Sequence, residues 1–113
     1  MNALVSIITP SYNSAKFIAE TIQSVQSQTY SNWEMIIVDD GSSDETENVV
    51  LSIIQNDNRI QFHKLSQNSG PAVARNTGIE KASGDYMTFI DADDIWFSTF
   101  IENNIKTIQE TEI

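Results

Sequence analysis

The sequence predicts an α/β domain, a mainly parallel open sheet with helices on both faces. Three observations predict it. Short runs rich in β-branched and aromatic residues alternate with amphipathic stretches along the whole chain. The connections between them are short, and parallel strands need a crossover helix of the kind each amphipathic stretch supplies. One run, Met35 to Val38, is apolar without a break, the mark of a strand buried on both sides.

Taken in order, "LVSIITP" (4–10) reads as the first strand, stopping at Pro10, which has no N–H to give a sheet ladder. Ser14 stands as the N-cap of a helix that carries Ile18, Ile22 and Val25 at i, i+4 and i+7, on one face. "WEMIIVDD" (33–40) is the second strand. Ser42 and Glu45 have capping-box spacing, and Val49, Val50, Ile53 and Ile54 then form the inner side of a second helix. "RIQFHKL" (59–65) alternates as a third strand. "SGPAVARNTGIEKA" (69–82) is a third helix, with Pro71 in its first turn and Gly84 just past its end. "YMTFI" (86–90) is the fourth strand, and Ile101, Ile105 and Ile108 repeat at helical spacing behind it. No repeat or linker interrupts this pattern, so residues 1–113 are expected to form one domain.

Composition narrows the function. A chain of 113 residues can bury roughly 60–70% of its unfolded surface, enough for a core. Six basic residues face sixteen acids, a net charge of −10, which excludes a nucleic-acid groove and disfavours an anionic membrane surface. No apolar run approaches the roughly 20 residues of a transmembrane helix, so none is expected in this chain. There is no cysteine, hence no disulfide and no thiolate metal site. The sequence assigns no oligomeric state.

Ligands of open parallel sheets bind beyond the carboxyl ends of the strands. Three unusual clusters fall at such ends: "TPSYN" (9–13), "DDGSSD" (39–44) and "DADD" (91–94). Each has two readings. "PSYN" is either a plain turn or a lining in which Tyr12 offers its face to a planar base. "DDGSSD" is either turn and helix cap, with Gly41 at positive φ, or a base acceptor; capping accounts for only one of Asp39 and Asp40. "DADD" either starts a helix or holds a metal. Asp91 and Asp93 are two apart, so in an extended segment both carboxylates point one way, and paired hard oxygens suit Mg²⁺ or Mn²⁺. Such a cation would let a diphosphate approach an acidic cleft. Arg75 is either a surface arginine or a clamp on the rim acids or phosphates. His63, a lone histidine on a strand, is read as structural.

These blocks resemble a known family. "VSIITPSYN", "SQTYSNWEMIIVDDGSSDET", "NSGPAVARNTGI" and "GDYMTFIDADD" are similar, in order and spacing, to family 2 glycosyltransferases, the inverting nucleotide-sugar enzymes of GT-A fold. The likeness runs from about residue 4 to about residue 97. It implies that Pro10 to Asn13 line the nucleotide pocket with Tyr12 against the base. Asp40 would bond a uracil-like ring, with Asp39 in support. Asp91 would lie near the ribose, and Asp93 would hold the Mg²⁺ or Mn²⁺ that bridges the diphosphate. Asp94 and Trp96 continue the family pattern.

The resemblance further implies transfer of sugar from a nucleotide-sugar donor, a UDP-sugar first, to a saccharide or lipid-linked acceptor with inversion at the anomeric carbon. Synthesis of cell-surface polysaccharide is the expected setting, in the cytoplasm and at the membrane face in a longer protein. In this family the acceptor half and its general base follow the D-x-D. Nothing in "FIENNIKTIQETEI" (100–113) resembles that block, so the base is expected beyond residue 113 and the chain is expected to transfer sugar poorly or not at all. Two other classes compete: a nucleotide-binding module without catalysis, and a phospho-accepting receiver domain. The receiver places its acidic pair after the first strand and a lysine on a fifth strand, neither of which the sequence has.

Overall fold

The computed structural model describes residues 2–111; Met1, Glu112 and Ile113, at the ends of the expected domain, lie outside the described residues. Four strands and four helices alternate: β1 (Val5–Ser11), α1 (Ile18–Gln26), β2 (Trp33–Asp39), α2 (Thr46–Ile54), β3 (Ile60–Lys64), α3 (Pro71–Lys81), β4 (Tyr86–Phe89) and α4 (Phe100–Thr111). The strands form one parallel sheet in the order β3-β2-β1-β4. The chain steps outward from β1 through β2 to β3, then returns to the other side of β1 for β4. That reversal opens a crevice at the carboxyl ends of β1 and β4.

The expected layers are present but unequal. Val5, Ile7, Met35 and Ile37 on one face bury against Ile18, Ile22 and Val25 of α1, Val50 of α2, and Ile101 and Ile105 of α4. Ile36 and Val38 on the other face meet Ala74 of α3. The uninterrupted Met35–Val38 run is buried on both sides, as its composition predicts. Helix α3 turns Ala74 and Gly78, four residues apart, to the sheet. A Cβ on Gly78 would lie 2.6 Å from Ile8 Cγ2, so the missing side chain is what lets α3 sit so close to β1.

Three local expectations are corrected. The first strand does not stop at Pro10 but runs through it to Ser11, pairing Pro10 with Val38. Ile8 O accepts Ile90 N–H on the β4 side and Ser11 O accepts Asp40 N–H on the β2 side. Pro10 therefore faces the β4 side, beyond the last β1–β4 pair, Ile8 with Phe89, where no ladder bond needs its N–H. Ser14 does not cap α1. Its carbonyl closes a turn with Phe17 and Ile18 N–H, and the helix begins at Ile18 without a side-chain cap. The Ser42–Glu45 box does not form either, because Ser42 Oγ donates to Asp39 at 2.5 Å. Asp44 instead accepts both the N–H and the hydroxyl of Thr46, the first residue of α2.

Candidate functional site

The paired acids at the end of β2 part company because strand neighbours face opposite ways. Asp39 turns to the α1–α2 side and is completely buried. Its carboxylate accepts the hydroxyls of Ser11 at 2.9 Å and Ser42 at 2.5 Å and the N–H of Ser42 at 2.8 Å. Those donors replace the lost water, so Asp39 ties the ends of β1 and β2 to the loop behind them. Asp40 turns to the α3 side. Its two oxygens accept Ser69 N–H at 2.7 Å and Gly70 N–H at 3.0 Å, directly before Pro71 opens α3. A carboxylate at a helix N-terminus is favoured by the helix dipole as well as by the bonds.

At the end of β1 the chain turns sharply. Asn13 adopts φ +47°, a conformation asparagine tolerates better than most residues. Its amide oxygen accepts Ser43 N–H at 2.9 Å and its own N–H donates to Ser42 Oγ at 2.8 Å. Asn13 thus faces the 42–43 loop. Tyr12, one residue earlier, is left 51% exposed with its ring at the mouth of the crevice.

The acids after β4 converge by a different route from the one expected. Residues 91–94 form a turn, closed by Asp94 N–H on Asp91 O at 3.0 Å, not an extended segment. The turn brings one carboxylate oxygen from each of Asp91, Asp93 and Asp94 within 4.8 Å of one another, all exposed. Three carboxylates so close repel unless a cation or donor stands among them. Their hard oxygen atoms and solvent access fit Mg²⁺ or Mn²⁺, which keep several waters.

These elements meet at a cleft of about 360 Å³ lined by Pro10, Ser11, Tyr12, Asp40, Asn68, Gly70, Pro71, Ala74, Arg75 and Asp91. Tyr12, Asp40, Arg75 and Asp91, far apart in sequence, line this one cleft. Arg75 is exposed and makes no ion pair among the described residues, which leaves its guanidinium available at the rim. Asp39 and Asn13 do not line the cleft; they brace its neighbours. Asp93 enters through its turn with Asp91. His63 lies outside, bonded to Gln61 at 2.9 Å, and burial followed by the charge of Lys81 lowers its pKa. A smaller cleft of about 160 Å³ between β4 and α4 carries neither carboxylate nor cation.

The profile of "Glycosyl transferase family 2" matches residues 6–113. The chain belongs to that family. Family 2 membership is supported by a 44% identity over 110 residues to a UDP-Glc:alpha-D-GlcNAc-diphosphoundecaprenol beta-1,3-glucosyltransferase, WfgD, of Escherichia coli, covering 97% of this chain and 43% of that one. The chain spans less than half the length of the curated relatives it matches. S. aureus TarS 1–349 in complex with UDP-GlcNAc superimposes with a TM-score of 0.87 at 31% identity, over 94% of this chain and 31% of that one. The mannosyltransferase PcManGT of Pyrobaculum calidifontis, in complex with GDP-Man and Mn²⁺, gives 0.88 at 26%, over 96% and 33%. The family 2 chain therefore has the nucleotide-binding α/β fold its sequence predicts, and the receiver reading falls.

One feature of the family 2 cleft escaped the sequence. Asn68 and Gly70 line it, although neither is singled out as a site residue by the sequence. The available signal was the glycine before Pro71: Gly70 takes φ +97° and lines the cleft. A Cβ on Gly41 would meet Asn68 N at 3.1 Å, so the two loops touch there through bare backbone. No described helix is long and apolar enough to cross a membrane.

Proposed function

We propose that the chain is the donor-binding part of a family 2 glycosyltransferase. It holds a nucleoside-diphosphate sugar, a UDP-sugar first, for transfer to an acceptor hydroxyl with inversion. The observation that carries this reading is the single cleft that gathers Tyr12, Asp40, Arg75 and Asp91, with Asp93 in the same turn as Asp91. Pro10 and Tyr12 supply a wall and a stacking face for the base. Asp40 already accepts two N–H groups, yet each carboxylate oxygen has a second lone pair, enough to take a ring N–H as well. Asn13 and Asp39 keep Tyr12 and Asp40 in register from behind. Arg75 offers a fork of donors to phosphate oxygens.

Asp91 and Asp93 would hold Mg²⁺ or Mn²⁺, with Asp91 also beside the ribose. When bound, such an ion supplies positive charge opposite a departing diphosphate. The chain's own residues orient the donor and offset its charge. TarS in complex with UDP-GlcNAc and PcManGT in complex with GDP-Man and Mn²⁺ support this reading. A saccharide or lipid-linked acceptor is supported by the likeness to WfgD, whose name gives a diphosphoundecaprenol-linked sugar as acceptor; we extend the reading to work on cell-surface polysaccharide at the cytoplasmic face of a membrane.

Calorimetry with UDP, GDP and dTDP, with and without Mn²⁺, tests the proposal. UDP binding that tightens with Mn²⁺ and weakens at least tenfold in Tyr12→Ala is expected. No binding of any nucleotide at millimolar concentration overturns the donor site, and metal-independent binding unchanged in Asp93→Ala overturns the metal role.

A further inference from the structure

Three polar residues are buried on or just past helix α1: Thr21 and Ser24 within it and Gln28 two residues beyond its end. Thr21 reaches into the acidic turn, and Ser24 and Gln28 reach the residues that follow it. Thr21 Oγ1 donates to Ala92 O at 2.9 Å, and Ser24 Oγ accepts Trp96 N–H at 3.2 Å. Gln28 uses both ends of its amide, donating to Phe97 O at 2.7 Å and accepting Ile101 N–H at 3.0 Å. Residues 91–99 have no strand or helix of their own, and these bonds, with that of Thr29 N–H to Ser98 O at 2.8 Å, tie them to the α1 side.

The Thr21 bond has a consequence for the acids. Ala92 and Asp93 are the two central residues of the turn that Asp94 N–H closes on Asp91 O. The peptide joining them is the one that rotates between the common turn types, and the rotated form requires positive φ at the second central residue. Asp93 does not have positive φ. A completely buried hydroxyl on the carbonyl of that peptide holds it in one orientation, and with it the direction in which Asp93 leaves the backbone.

We propose that Thr21 is a positioning residue for the divalent-cation site: from inside the core it locks the Ala92–Asp93 peptide so that the Asp93 carboxylate converges with that of Asp91. This rests on the reading of the acidic turn as a metal site. Thr21→Val keeps shape and removes the donor; Thr21→Ser keeps the donor. Mn²⁺ affinity, measured on the chain by electron paramagnetic resonance, is expected to fall about tenfold in Thr21→Val and to stay within about twofold of the parent in Thr21→Ser. Val50→Ala, which loosens the core away from the turn, is the control for stability alone and should leave Mn²⁺ affinity unchanged. If Thr21→Val does not fold, Thr21→Ala against Thr21→Ser isolates the hydroxyl, since both lose the methyl. Equal Mn²⁺ affinity with and without the hydroxyl, while Asp93→Asn abolishes binding, overturns the role of Thr21. Binding that survives Asp93→Asn overturns the metal site itself.

Discussion

The Asp40 carboxylate accepts the N–H of Gly70 at 3.0 Å, joining the end of β2 to the start of α3 across the floor of the cleft. One side chain thus shapes the proposed pocket and lines it. Asp40→Asn removes the charge and sets an amide donor against either Gly70 or Ser69. A part-buried N–H then loses its charged acceptor, at a cost of about 1 kcal/mol. Urea unfolding should register that loss, and UDP affinity should fall at least tenfold; a variant with parent-like stability would show that the two N–H groups find another acceptor.

Gly41 sits beside Asp40 at φ +80°. An alanine there enters the left-handed region at about 1–2 kcal/mol. Its Cβ also lies 3.1 Å from Asn68 N, a backbone atom that cannot swing aside. Gly41→Ala should therefore destabilise the fold by at least that amount and displace the 68–70 loop, which amide chemical shifts of Asn68 to Gly70 would report.

Gly78 sets two effects against each other. Alanine gains about 1 kcal/mol of helix propensity over glycine. Against this, the new Cβ would stand 2.6 Å from Ile8 Cγ2 in a packed layer, and overpacking costs about 1–3 kcal/mol. The steric term should win, so Gly78→Ala is expected to lower the urea midpoint by an amount equivalent to about 1 kcal/mol. A raised midpoint would mean that α3 does not lie so close to β1.

Acid stability should depend on Asp57. Hydrogen bonds from Arg59, at 3.0 and 2.9 Å, hold its carboxyl below the ordinary value, outweighing the opposite effect of partial burial. The folded pKa lies below the unfolded one, near 3.9. The contribution is therefore complete above the unfolded value and is lost as pH falls through the folded value. The pair is partly exposed, which limits it to under about 1 kcal/mol. Asp57→Asn should flatten the low-pH limb of the stability curve. Parallel limbs for the variant and its parent would rule the pair out as a source of the acid dependence.

The elements were legible where the signal is local. Ile18, Ile22 and Val25 mark α1 by spacing, and Pro71 marks the first turn of α3. Caps were less so: Ser14 and Ser42 have the chemistry of caps, but a competing acceptor, Asp39, takes Ser42. Pro10 ended a strand on paper and not in the sheet, because only the length of the neighbouring β4 decides whether its missing N–H matters. Thr21 gave no sign at all. A threonine on an apolar helix face has no local pattern that names a partner 71 residues away.

By itself the chain's order of residues determined the alternating elements, the acidic character of the rim and the residue types suited to a hard cation, since periodicity and side-chain chemistry are properties of neighbours in sequence. The strand order β3-β2-β1-β4 was decided only in three dimensions, and it alone brings Asp91 beside Tyr12 and Asp40. The same holds for the separation of Asp39 from Asp40 and for the turn that joins Asp91 to Asp93. Each depends on which distant backbone groups a side chain meets once water is excluded, and packing alone selects those partners.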